Sequence, residues 1–145
     1  MGAVHIRIDT IEQELKYFGL KKLYDEGYKI AFAIALENLK NGLSVVADST
    51  NPILKSREAW ISVANKALSP FTEIEVICSS ENEHKERVET RQPDTPNLLL
   101  PSWESVSSRD YHPWKTIRIV IDTAGKTPEQ SEIELSELLR RSYET

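Results

Sequence analysis

Short apolar, β-branched runs alternate with stretches of helical period along this chain, and no other feature restricts its fold as much. Val4 to Ile8 alternates apolar and polar residues, Leu43 to Ala47 and Phe71 to Cys78 are apolar runs, and Ile117 to Ile121 is a fourth. Helical segments lie between them, so successive strands cannot pair as hairpins and are expected to run parallel through helical crossovers. The fold class that follows is α/β, a mostly parallel sheet covered on both faces by helices. Ligands of such sheets gather beyond the carboxyl ends of the strands, which directs attention to the residues after Ile8, Ala47, Cys78 and Ile121.

The helices announce themselves by period and by caps. Tyr28, Phe32, Ala35, Leu36 and Leu39 recur at helical spacing over Leu23 to Leu39, and Gly42 stands where that helix should stop. Thr10 with Gln13, Ser80 with Glu83, and Thr127 with Gln130 have the spacing of capping boxes, the last with Pro128 at the first helical position. Asn51-Pro52 reads as an N-cap and first-turn proline for a helix with Trp60, Ala64, Ala67 and Leu68 along one side, ending near Ser69-Pro70. In the last helix Ile133, Leu135, Leu138 and Leu139 are expected to face inward. Residues 92–114, with Pro93, Pro96, Pro101 and Pro113 and no clear period, read as a loop or lid that Trp103, Tyr111 and Trp114 pin to the core. At 145 residues the expectation is one domain covering 1–145.

Charge and composition exclude several functions. The formal net charge is -5 and no run of Lys and Arg forms a basic footprint, which argues against sequence-independent nucleic-acid binding. No stretch approaches the ~20 apolar residues of a membrane span, and a cytoplasmic protein is expected. Cys78, the single cysteine, reads as a buried thiol, and His5, His84 and His112 are too scattered for a zinc site.

Four groups of residues are candidates for chemistry. Asp9 and Asp48 each follow a short strand at the edge where a site is expected; they suit a general base and a metal-linked acid, or carboxylates that accept N–H bonds at a helix start. Arg87 and Arg91 lie four apart on one helix, and their repulsion calls for an offset, either Glu83 or a bound polyphosphate. Asn51 belongs to the turn after Asp48. Ala124-Gly125-Lys126-Thr127 imitates the tail of a phosphate-binding loop, but the glycine needed five residues before Gly125 is Val120, inside a strand, so a turn glycine and helix cap are expected instead.

Together, Val4 through Asp9, Asp48-Ser49-Thr50-Asn51-Pro52, Arg87-Val88-Glu89-Thr90-Arg91 and Ile119-Val120-Ile121-Asp122-Thr123 resemble the P-loop kinases of the predicted-kinase group, relatives of polynucleotide kinase, zeta toxins and chloramphenicol phosphotransferase. The resemblance covers essentially the whole chain. It implies a P-loop NTPase-like three-layer sandwich and magnesium-dependent phosphoryl transfer from ATP to the hydroxyl of a small molecule. It further implies Asp9 as the base, Asp48 beside the magnesium, Arg7 and Asn51 toward the substrate, and Arg87, Arg91 and, more weakly, Arg109 on the transferring phosphate.

One departure qualifies the resemblance. The apolar strand and Gly-rich loop ending in Gly-Lys-Ser or Gly-Lys-Thr are missing, with Met1-Gly2-Ala3 standing just beyond where they should end. That loop cradles the nucleotide phosphates, so ATP binding and activity are expected to be lost or impaired, whether through a misplaced start, gene decay or a loop donated by another chain. The missing strand would lie mid-sheet, between the strands at Ser44 to Ala47 and Thr72 to Cys78. The gap either closes, takes a partner strand, or leaves the isolated chain poorly stable, and two copies are a further candidate to pair through exposed edges. The alternative expectation is a non-catalytic module that uses the lid arginines to hold an anion or a partner.

Overall fold

The computed structural model describes residues 2–144; Met1, part of the start considered above, and Thr145 lie outside the described residues. Among the described residues four strands and six helices follow one another as β1 (Val4–Arg7), α1 (Ile8–Tyr17), α2 (Glu26–Lys40), β2 (Val45–Asp48), α3 (Leu54–Lys66), β3 (Ile74–Ile77), α4 (Glu81–Thr90), α5 (Trp103–Ser107), β4 (Ile119–Asp122) and α6 (Pro128–Tyr143). The protein is mixed α/β, and its strands pair in parallel, β1 with β2 and β3 with β4, as two two-stranded sheets. The chain divides into two compact units. The first runs to Phe71 and takes in Pro93–Leu100 and Arg109–Pro113; the second comprises Thr72–Gln92, Pro101–Ser108 and the chain from Trp114 onward. The segment 92–114 is therefore shared between the units, and it contains a short helix, α5.

In the first unit, helix α2 packs on the β1–β2 pair. Ala31 and Ala35, one turn apart, are both wholly buried and meet Ile6, Ile8 and Val63. Their small side chains let the helix approach the strands closely, and Phe32 and Trp60 seal the flank edge to face at 4.7 Å. Helices α1 and α2 approach closely at Gly27, where an added Cβ would lie 2.7 Å from the Glu12 Cγ.

Three local expectations change in this unit. Helix α1 starts at Ile8, with Arg7 as its N-cap and no side-chain cap bond, so Thr10 lies inside the helix and its box with Gln13 does not form. Burial decides this, because starting early puts Ile8 and Gln13 into the core. Asn51 is no N-cap either; it sits in the left-handed region at φ 41, its side chain bonded to Ser49 Oγ, and Ile53 precedes α3. Leu68, expected along the α3 face, lies past the Ala67 C-cap at φ 54 and is 93% exposed.

The second unit pairs β3 and β4 in the register Ile74↔Ile119 to Ile77↔Asp122 and buries Ile121 and Val88. Glu75, buried, is matched by Arg118. Helix α6 opens with the complete capping box: Thr127 Oγ1 accepts from Gln130 N at 3.2 Å, and Gln130 Oε1 accepts from Thr127 N at 2.8 Å. Gly125 just before it has φ 69, the turn glycine that the sequence implied. Ser80 caps α4 through Glu83 N, but the Glu83 side chain turns elsewhere, so that box is half formed. Ile133 is 61% exposed and does not face inward, whereas Leu135, Leu138 and Leu139 are half-buried.

Because both halves of the α6 box are made, Thr127→Ala should lower stability by about 1 kcal/mol, read as a lower urea midpoint with an unchanged slope.

Candidate functional site

Parallel pairing of β1 and β2 sets Arg7 opposite Asp48, and Asp9 follows in the first turn of α1. Three of the expected residues thus meet at the carboxyl end of one strand pair. The Arg7 guanidinium makes a two-toothed contact with Asp94, Nη1 donating to Oδ2 at 2.7 Å and Nη2 to Oδ1 at 3.1 Å, and its Nη2 lies 3.7 Å from Asp9 Oδ2. The bond holds the Asp94 carboxyl below the usual carboxylate range and raises the Arg7 pKa further. Asp48 Oδ2 lies 2.8 Å from His5 Nε2, with both side chains more than half exposed.

Two more groups at this end escaped the sequence reading. Burial of Glu12, reinforced by the nearby Asp9 charge, raises its carboxyl pKa. Tyr28, half-buried, has its phenol pKa raised by burial against the smaller opposing effect of side-chain bonds to Ser49 and Thr50. Glu12 lies three residues after Asp9 and so on the same helical face, a signal that becomes readable only once α1 is known to begin at Ile8. Tyr28 looked like an ordinary member of the α2 core stripe. The assembled end is rich in carboxylates around one guanidinium: it can accept a proton from a hydroxyl group at Asp9 and donate hydrogen bonds from Arg7.

The turn after Asp48 is organised by Arg57, a residue the sequence did not single out. Its buried guanidinium donates from Nε to Asn51 O at 2.8 Å, and from Nη2 to His112 O at 2.8 Å and Pro52 O at 3.2 Å, with the Tyr111 ring 5.2 Å away. His112 Nδ1 in turn accepts from Leu54 N at 3.0 Å, supplying the bond that the α3 N-terminus lacks from its own cap. Asn51 is thereby held through its backbone. Arg109, exposed, begins the segment that carries His112. The spacing of Arg57 to Trp60 and Ala64, i to i+3 and i+7, was the available sign that it faces inward.

Arg87 and Arg91 belong to the second unit. Arg87 binds Thr123 Oγ1 at 2.9 Å, Thr123 O at 3.0 Å and Lys126 O at 3.1 Å, and it pairs with Glu83, whose other oxygen accepts from Gly125 N. Of the two possible offsets to arginine repulsion, Glu83 is the one in place. The guanidinium ties the β4–α6 turn to α4. Arg91 is the exposed C-cap of that helix and already has extended backbone angles. Lys126 pairs with Glu134 at 2.6 Å. Asp122, at the carboxyl end of β4, accepts from Ser79 N at 3.0 Å and Ala124 N at 3.1 Å, and bonds from Ser79 and Ala124 lower its pKa to about 2.

Magnesium in phosphoryl-transfer sites uses one or two carboxylates together with phosphate oxygens and water. Asp48 offers one carboxylate, already engaged by His5 at one oxygen, and among the described residues no group of three His, Cys, Asp or Glu side chains is arranged to hold a metal ion. The sequence has no Gly-x-x-x-x-Gly-Lys run to hold a nucleotide. The residues present do not, by themselves, fit magnesium with ATP. Among the described residues no helix is long and apolar enough to cross a membrane. Comparison with family models, with curated proteins and with solved structures finds no match.

The Asp122 bonds make the second unit acid-sensitive in a defined window. A depressed carboxyl pKa adds stability that is complete above the ordinary value of 3.8 and is lost as the pH falls toward 2. Asp122→Asn should therefore weaken the protein at neutral pH and flatten its stability profile between about pH 4 and 2, followed by the denaturant midpoint at each pH.

Proposed function

We propose that the chain derives from the P-loop kinases and keeps the acceptor side of a phosphoryl-transfer site, where a small hydroxyl compound binds, without a nucleotide side of its own. The observation that carries this reading is the convergence of Arg7, Asp9 and Asp48 at the carboxyl ends of β1 and β2, a placement that follows from the parallel register. In this reading Asp9, exposed and at the start of α1, takes the proton of the substrate hydroxyl, and the donors of Arg7 orient the substrate oxygens. Asp48 is the acid that would stand beside a metal ion, with His5 fixing its carboxylate. Transfer of the γ-phosphoryl of ATP requires, besides these residues, a phosphate-binding loop to hold the nucleotide.

The fold part of the reading, a P-loop sandwich, draws support from the parallel pairing of β1 with β2 and of β3 with β4 through helical connections. The alternative of an anion-binding module built on Arg87 and Arg91 has less support, because Arg87 is engaged by acceptors from Thr123, Lys126 and Glu83.

Thermal unfolding with added ligands tests the proposal. A panel of nucleosides, sugars and aminocyclitols should contain a compound that raises the transition, by about 2.7 kcal/mol at a hundred times its dissociation constant, and Asp9→Asn should reduce that shift. Magnesium with ATP should leave the transition unchanged. A shift with ATP alone, or no shift with any hydroxyl compound, overturns the reading.

A further inference from the structure

Residues 93–97 lie along α1 and are anchored at both of its ends. Asp94 grips Arg7, the N-cap, while Tyr17 at the last turn donates to Pro96 O at 3.0 Å and accepts from Asn97 Nδ2 at 3.2 Å. The bonds from this segment to the rest of the first unit, among the described residues, all run through side chains, and its own backbone bond is the turn from Leu98 N to Thr95 O. Pro93 and Pro96 have no N–H to offer a ladder. A segment fixed in this way has little holding it shut.

The central contact is also of a reversible kind. Asp94 is 68% exposed, and it is the third carboxylate around Arg7, after Asp9 and Asp48, so closing the contact brings like charges together. Exposed ion pairs contribute little and are screened by salt. While it is closed, both Nη groups of Arg7 point at Asp94 and not at a ligand.

We propose that 93–97 is an autoinhibitory strap: Asp94 occupies the guanidinium fork of Arg7 in place of a substrate, and the strap must lift before the carboxyl end of β1 can take its ligand. This rests on the acceptor-site reading above and adds to it the device that controls access. It also assigns Asp94, which no motif in the sequence distinguished, a role in setting affinity.

Hydrogen exchange of the full-length chain, followed by mass spectrometry, tests the strap without any ligand. In Asp94→Asn the Leu98 amide, bonded to Thr95 O in this segment's turn, should exchange faster by up to about fivefold, the most expected of a single exposed ion pair, while β2 and α3 keep their protection. Raising NaCl should speed exchange there in the unmodified protein and have little further effect in the variant. Unchanged exchange in Asp94→Asn, or indifference to salt, overturns the proposal. A second arm measures the thermal shift given by the same panel of nucleosides, sugars and aminocyclitols, where Asp94→Asn should bind the active compound more tightly, by up to about fivefold. Faster exchange with unchanged affinity overturns the autoinhibitory role. No binding to either protein removes the acceptor reading and the autoinhibitory role with it, while the exchange result still stands as proof of the latch.

Discussion

The first unit depends on how closely α2 can lie against the β1–β2 pair. Parallel strands need a crossover, and the crossover must cover the sheet it leaves. Ala31 and Ala35 meet that demand with minimal side chains, both wholly buried against Ile6 and Ile8. Close packing at this seam leaves the strands one register, and a slip of one residue would turn Ile6 away from the core. The same register sets Arg7 opposite Asp48. The grouping of charges at the strand ends thus goes with the register that packs against these two alanines.

The two units use similar acidic residues for different ends. In the second, Asp122 and Glu83 accept backbone N–H bonds, and Arg87 closes a turn with both Nη groups engaged, so these groups hold local structure together. In the first, Asp9 and Asp48 are exposed beside a guanidinium that an exposed carboxylate, Asp94, engages. Charged groups committed to backbone partners serve folding, whereas those left facing water at a strand end are available to a ligand. The contrast separates residues that the sequence motif had placed on an equal footing.

Local signals in the sequence succeeded where a short stretch decides its own conformation. The Thr127 box, Gly125 and Gly42 in left-handed turns, the four strands and the α2 stripe all depend on neighbours within a few residues. They failed where burial competed with a cap. Thr10 had the right spacing to start a helix, yet Ile8 gains more by entering the core three residues earlier, in helical conformation. Asn51 had the right identity for an N-cap, yet a bond to Ser49 and the grip of Arg57 on its carbonyl hold it in a left-handed turn.

The candidate site divides in the same way. The sequence by itself determined the alternation of strands and helices, hence the parallel pairing, and so the placing of Asp9 and Asp48 at strand ends where a site could form. Only the tertiary structure decided which partners these residues meet: Asp94 on Arg7, His5 on Asp48, Glu12 beside Asp9, and Arg57 beneath the turn that follows. Periodicity is written in neighbouring residues and can be read along the chain. A contact between residues eighty-seven positions apart, such as Arg7 with Asp94, exists only after the chain has closed on itself, and no spacing rule encodes it.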